Sequence, residues 1–336
     1  MAKAARRSPG ALRRGPGGPP ALPRRLPLAT RSATPMNPDL VIQIFIPTTL
    51  ATIMVAMGLG LTVDDFRRVA IERTPVAVGA LAQIVLLPLL GFGIALLLQL
   101  PPPIAVGIVL VSACPGGPSS NLFSVAARGD RALSVSLTAI SGLVTVLSTP
   151  LYLHLALTVF PADTGPVAFP FGETVLRILL VVALPLLAAM IFRHHRPAQA
   201  LRWEPRVRIT AALLLTVMVL GAVAAEASSI ADYWAQAGSA VLLLMGAAMG
   251  AGFALSRLLA LRPSQAITIT IEVGMQNSAL AIGIAFNILR DGEIAVPALG
   301  YGVLMYGACG IAVLLGRALV PAPEDGPLAT RSQDPR

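Results

Sequence analysis

Long apolar runs, cut by short clusters of Arg, Pro, Gly and acidic residues, fill the chain from about residue 40 to residue 317. A helix needs about 20 apolar residues to cross the hydrocarbon core of a bilayer. Nine runs reach that length, roughly 40–62, 75–100, 103–127, 131–158, 173–192, 208–226, 237–260, 264–289 and 295–317. Pro101, Pro102 and Pro103 separate the second run from the third, and Arg128-Gly-Asp-Arg131 separates the third from the fourth. A helix interior resists both compositions. The pattern predicts an all-α integral membrane protein with about nine transmembrane helices in one domain, residues 36–320.

Composition agrees. Of 336 residues, 55% are hydrophobic and 12% charged, against about 25% charged in a soluble domain. Mean hydropathy is +0.77. The net charge of +9 is unevenly placed: eight basic residues precede position 32 and no acidic residue precedes Asp39. This tail carries no aromatic side chain for stacking on bases, so nucleic acid is not expected as a partner. Its Pro and Gly content argues against the amphipathic helix of a transit peptide. Residues 1–35 read as a disordered basic tail or as a mis-called start, with Met36 the first residue. Two cysteines, Cys114 and Cys309, lie in apolar segments, which excludes a disulfide framework. No CxxC, HExxH or Walker loop occurs, and His154, His194 and His195 sit near span ends or in a loop. Nothing forms a nucleophile–base pair, so no enzyme is expected.

Loop charge gives the orientation. Arg67, Arg68 and Arg73 follow the first run, Arg128 and Arg131 the third, Arg193 to Arg208 the fifth, Arg257 and Arg262 the seventh, and Arg317 the ninth. The loops after the second, fourth and sixth runs hold no Lys or Arg, although Arg177 sits near the outer end of the fifth, and that after the eighth holds only Arg290. By the positive-inside rule the start of the first span lies outside and the C-terminal tail, 321–336, is cytoplasmic. A cell-membrane location is expected.

The polar exceptions inside the runs carry the chemistry. Glu272 is the only acidic residue deep in any of them, and an intramembrane charge costs about 2.5–3.5 kcal/mol on insertion scales. It reads as a cation site, a proton site or a protonated side chain bonded to a neighbouring helix. It sits in Glu272-Val-Gly274-Met-Gln276-Asn277-Ser278, a poor continuous helix. The third run is interrupted at Cys114-Pro-Gly-Gly-Pro118-Ser119-Ser120-Asn121. Irregular backbone is tolerated at depth only where it is buried or lines a site. The breaks lie five runs apart, which gives them opposite orientation, as in an inverted repeat with crossed broken helices. Ser134, Thr138, Ser141, Thr145 and Ser148 share one helix face, fit either for a site or for ordinary helix packing. Gln83 is another isolated polar residue, with the same two readings.

Three stretches resemble the bile acid:sodium symporter family: Met57-Gly-Leu-Gly-Leu-Thr-Val-Asp-Asp-Phe66, the Cys114–Asn121 break continuing to Thr138, and Ile271-Glu-Val-Gly-Met-Gln-Asn-Ser278. The resemblance covers about residues 40–318. It implies a panel (about 40–62 and 173–226) and a core (about 75–158 and 237–317), with two co-transported sodium ions behind a substrate cavity. One ion would use Ser120, Asn121, Ser134, Thr138 and Glu272; the other Gln83, Glu272, Gln276 and the carbonyls of Val273 and Met275. Substrate would meet Pro118, Ser119, Asn121 and Asn277. Pro118 departs from the family pattern, and removes a hydroxyl and an N–H there. The implied activity is sodium-coupled import, by a monomer in the bilayer, of a small organic anion: bile acid-like, or a small carboxylate such as pantoate or a 2-oxo acid. Proton coupling through Glu272 and a non-transporting ligand sensor are the alternatives.

Overall fold

The computed structural model describes residues 38–62, 64–65, 72–117, 119–161, 171–225 and 230–321. The basic tail 1–35, Met36, Arg67, Arg68, Pro118 and residues 322–336 lie outside the described residues. Every regular element described is helical, apart from one isolated antiparallel bridge between Gly116 and Gln276.

In chain order the helices are α1 (Pro38–Gly60), α2 (Arg73–Leu97), α3 (Pro102–Ala113), α4 (Ser120–Ala126) and α5 (Arg131–Val159). There follow α6 (171–195), α7 (Pro197–Ala225), α8 (Ile230–Leu258), α9 (Pro263–Gly274), α10 (Ser278–Leu289) and α11 (Gly292–Leu319). Three of these, α2, the Trp234–Leu258 part of α8, and α11, are continuous and apolar enough to cross a membrane. α5 is a fourth if its two limbs, bent by 55°, count as one. Pro150 accounts for the bend, because its ring clashes with the carbonyl four residues earlier and it offers no N–H. α3, α4, α9 and α10 are each too short to cross alone, since both predicted breaks are real interruptions of the helix.

Proline also widens two helices. π-helical turns at Ala82–Leu86 and Leu179–Ala183 immediately precede Leu87-Pro88 and Leu184-Pro185. The carbonyl each proline would strike lies inside the widened turn, so the ladder shifts register instead of breaking.

One boundary differs from the sequence expectation. The arginine-rich stretch after residue 193 is not a loop: α6 runs to His195 and α7 begins at Pro197. Proline suits a first helical position, and Arg and Glu are good helix formers. A Glu204–Arg208 pair at 3.1 Å and the Arg206 guanidinium 5.6 Å from the Trp203 ring centroid support the first turns.

Packing divides the helices into two groups. α1 packs mainly on α6 and α7, while α2, α3, α5, α8, α9, α10 and α11 pack chiefly on one another. Gly58 lets α1 approach α6 closely, for a Cβ there would lie 2.8 Å from that of Ala189. The outer faces are apolar: Leu184 and Ile191 of α6, Leu213 and Val217 of α7, and Val303 and Leu314 of α11 are exposed. The buried set includes Gln83, Ser120, Ser134, Thr138, Thr145, Glu272, Gln276 and Asn277. An apolar exterior, with the buried polar groups gathered inside an otherwise apolar core, suits lipid as solvent.

The segment from α2 to α5 and that from α8 to α11 share their punctuation. Gln99 and Ala260, with φ of 51° and 52°, close the leading helices in the left-handed conformation. Leu100 and Leu261 then donate backbone N–H groups to Ala95 and Ser256, a Schellman-type close. Pro102 and Pro263 open the broken helices. Arg128 and Arg290, at φ 57° and 55°, end them, and the Asp130 and Asp291 carboxylates cap α5 and α11.

Candidate ion and substrate site

The two breaks meet back to back. Gly117 N–H donates to the Met275 carbonyl at 3.0 Å, and Asn277 N–H to the Pro115 carbonyl at 2.8 Å. Proline and glycine prevent helix through 115–117, and Gly274 ends α9. The stranded backbone groups of one break are therefore satisfied by the other.

Glu272 lies on the last turn of α9 with 1% of its surface exposed, and among the described residues it is the only charged side chain that is buried. Ser134 Oγ donates to its Oε2 at 3.2 Å, and the Thr138 hydroxyl donates to its Oε1. The buried Ser120 hydroxyl is close enough to influence the same carboxylate yet has no partner in hydrogen-bonding geometry. Ser134 Oγ also lies 2.8 Å from Asn121 Oδ1. Four of the predicted residues from α4 and α5 thus gather around Glu272. Gly116 leaves room for it, since a Cβ there would sit 2.8 Å from Oε1.

The second group includes Gln276 of the bridge itself. Gln83, carried inward on the π turn of α2, donates its amide to the Cys114 carbonyl at 3.1 Å and to Gln276 Oε1 at 2.8 Å. Gln276 Nε2 donates to the Val273 carbonyl at 2.7 Å. The Val273 and Met275 carbonyls thus each accept a hydrogen bond and each keep a second lone pair. Among the described residues, no group of three or more His, Cys, Asp or Glu side chains gathers as a metal site. The donors here are hydroxyl, amide and carbonyl oxygens plus one carboxylate, which suits a hard cation of low charge.

Of the predicted substrate residues, Ser119 and Asn277 occupy equivalent places, at the start of α4 and of α10. Asn277 Oδ1 accepts from Leu280 N–H at 3.0 Å, while its buried Nδ2 and the Ser278 hydroxyl have no hydrogen-bond partner. Asn121 is half-buried. A cavity of about 560 Å³ lies elsewhere, between the ends of α1 and α6, lined by Leu61, Thr62, Leu187, Met190, Arg193 and His194 among others. None of the predicted site residues lines it.

The hydroxyl stripe of α5 divides by role. Ser134 and Thr138 reach Glu272, whereas Ser141 and Thr145 bond back to the carbonyls of Thr138 and Ser141. Two further residues, not singled out by the sequence pattern, lie near the crossing. Thr149 donates to the Ala113 carbonyl at 2.7 Å, and Tyr301 to the Gly274 carbonyl at 2.8 Å. A phenol in an apolar helix was the available signal for Tyr301.

Helices clad in apolar side chains around a buried, oxygen-lined crossing define a multi-pass membrane protein. A family model described as the sodium bile acid symporter family matches residues 47–233. The chain is 33% identical over 275 residues to the probable sodium/metabolite cotransporter BASS2, chloroplastic, of Oryza sativa subsp. japonica, covering 81% of this chain and 64% of that protein. It is 36% identical over 248 residues to the uncharacterized sodium-dependent transporter YocS of Bacillus subtilis (strain 168), covering 72% and 73% respectively. With the sodium/bile acid cotransporter 4 of Homo sapiens it shares 30% identity over 292 residues, covering 84% and 65%. The chain thus spans less than two thirds of the rice and human proteins. It belongs to the sodium bile acid symporter family.

Proposed function

We propose that this protein is a sodium-coupled symporter that imports a small organic anion by alternating access. The observation that carries the reading is the buried Glu272 carboxylate, met by hydroxyls of two α5 residues at the crossing of two broken helices. Sodium appears in the names of the rice and Bacillus relatives, which supports the choice of ion.

In this reading one sodium ion binds among Ser120, Asn121, Ser134, Thr138 and Glu272. A second binds Gln83, Gln276, Glu272 and the carbonyls of Val273 and Met275. The anion is met by Ser119, Asn121 and Asn277, with Pro118 beside them in sequence. The unpartnered Nδ2 of Asn277 and hydroxyl of Ser278 supply donors for it, and a carboxylate is the simplest group they would suit. Bile acid-like molecules and small carboxylates such as pantoate or 2-oxo acids remain the candidate substrates.

The shared punctuation of α2–α5 and α8–α11, with the antiparallel bridge between their breaks, supports an inverted repeat. Each broken pair then counts as one span, giving nine. Helices α1, α6 and α7 form the panel and the others the core. The start of α1 lies outside, the C-terminus is cytoplasmic, and the protein works as a monomer in the cell membrane.

The test is uptake by proteoliposomes across a panel of organic anions. Sodium should stimulate uptake of at least one, and Glu272→Ala should abolish the stimulation. Full sodium dependence in that variant would refute the assignment. A carboxylate surrounded by hydroxyls also suits a proton, so uptake driven by a pH gradient without sodium would favour proton coupling instead.

A further inference from the structure

The first half of each broken helix ends on a carbonyl that the helix cannot satisfy, at Ala113 of α3 and Gly274 of α9. Each is closed by a hydroxyl from the long helix that follows its own broken pair. Thr149 of α5 donates to Ala113 O at 2.7 Å, and Tyr301 of α11 to Gly274 O at 2.8 Å. Both donors are buried, Thr149 2% and Tyr301 0% exposed. Ala113 and Gly274 hold the same place in the two segments with shared punctuation, so the same solution appears twice with different side chains.

Successive carbonyls at each break have separate donors. Val273 O accepts from Gln276 Nε2, Gly274 O from Tyr301 and Met275 O from the Gly117 N–H. At the other break Ala113 O accepts from Thr149, Cys114 O from Gln83 Nε2 and Pro115 O from the Asn277 N–H. Gly274 O lies in sequence between the two carbonyls assigned to sodium. Ala113 O adjoins the carbonyl that anchors Gln83. Left unpaired in a buried site, either oxygen would seek another donor or a cation, and the neighbouring peptide planes would turn with it.

We propose that Thr149 and Tyr301 are positioning residues for the two ion clusters. Their hydroxyls pin the terminal carbonyls of α3 and α9 and thereby fix which backbone oxygens face a cation. Neither side chain touches the ion. The proposal rests on the sodium-binding reading above, and its test separates the two.

The measurement is thermal stabilisation of the purified full-length protein in detergent by sodium chloride, against choline chloride at equal ionic strength. A ligand that binds only the folded state stabilises it by RT ln(1 + c/Kd) at free concentration c, so fitting the shift against sodium concentration yields a half-saturation without knowledge of the substrate. Wild type should respond and Glu272→Gln should not; absence of a sodium-specific response in wild type would overturn the ion reading and this proposal with it. Given that response, Tyr301→Phe and Thr149→Val should each raise the half-saturation by roughly tenfold, the scale of one lost buried hydrogen bond. Thr149→Ser, which keeps the hydroxyl, should stay within about twofold of wild type on the same scale. Lower melting temperatures in choline with unchanged sodium half-saturation would make the two hydroxyls structural caps only and overturn the proposal. If Tyr301→Phe does not fold, the Thr149→Val and Thr149→Ser pair decides it.

Discussion

Thr138 donates a short hydrogen bond to Oε1 of Glu272, although the two residues stand 134 positions apart. The bond ties α5 to the last turn of α9, and with Ser134 on Oε2 it gives each carboxylate oxygen its own hydroxyl.

Replacing Thr138 by Val keeps the shape and removes the hydroxyl. Sodium-stimulated uptake should then need roughly ten times more sodium, since a hydrogen bond to a charged group is worth about 1.5–3 kcal/mol. Thr138→Ser should stay near wild type. Equal sodium requirements in Thr138→Val and wild type would remove Thr138 from the site.

Gly116 has a separate reason to be glycine. A Cβ there would lie 2.8 Å from Glu272 Oε1, so Gly116→Ala should displace the carboxylate and abolish sodium-stimulated uptake while leaving folded protein in the membrane. Gly93, in α2, has nothing within 4 Å of its added Cβ. Gly93→Ala should keep uptake and stabilise the helix by about 0.5–1 kcal/mol. Uptake assays beside detergent melting curves would separate the two glycines.

Gln83 and Gln276 should behave as one unit. Gln83→Leu leaves the Cys114 carbonyl and the Gln276 amide oxygen without their donor, as Gln276→Leu strands Gln83. Each single change should destabilise by about 1–3 kcal/mol, and the double variant by clearly less than their sum. Strict additivity in unfolding free energy would argue that the two amides are independent.

At the other end of α9, Arg262 Nη2 lies 3.4 Å from Glu72 Oε1 and 3.4 Å from Asp130 Oδ2, with its side chain 64% exposed. Such pairs contribute about 0–1 kcal/mol and weaken with salt. Asp130 does more, because its Oδ1 accepts the Leu133 N–H at 3.1 Å and caps α5. Asp130→Ala should therefore cost about 0.5–2 kcal/mol, and Arg262→Ala little. Melting curves in low and high choline chloride should show the Arg262→Ala cost fading with salt while most of the Asp130→Ala cost persists.

The helices were legible because lipid-facing and core-facing positions are both apolar, so each run declares itself by length and its ends by Pro, Gly and Arg. The start of α7 is obscured for the converse reason. Arg202, Arg206 and Arg208 look like loop residues by charge, yet they sit on a helix whose early turns are exposed. At the site, Glu272 and the two breaks could be read directly, since a carboxylate and paired Pro and Gly residues have no reason to occupy a run of Val, Ile and Leu. Gln83 and Thr138 needed a family resemblance to be chosen over other isolated polar residues. Thr149 and Tyr301 stayed hidden because nothing in sequence pairs a hydroxyl with one carbonyl on a helix packed against it.

Glu272 is the one buried charged side chain among the described residues, and the membrane's voltage would act on it. In the proposed cycle, an ionised Glu272 without sodium would give the crossing one negative charge. Two sodium ions and a monovalent anion would cancel it. A field exerts about 2.3 kcal/mol per elementary charge per 100 mV, so it would act little on the loaded carrier and strongly on the empty one. An inside-negative cell would push that negative crossing outward and hasten the resetting step. The electrical gradient would then drive the cycle through the half that carries no cargo.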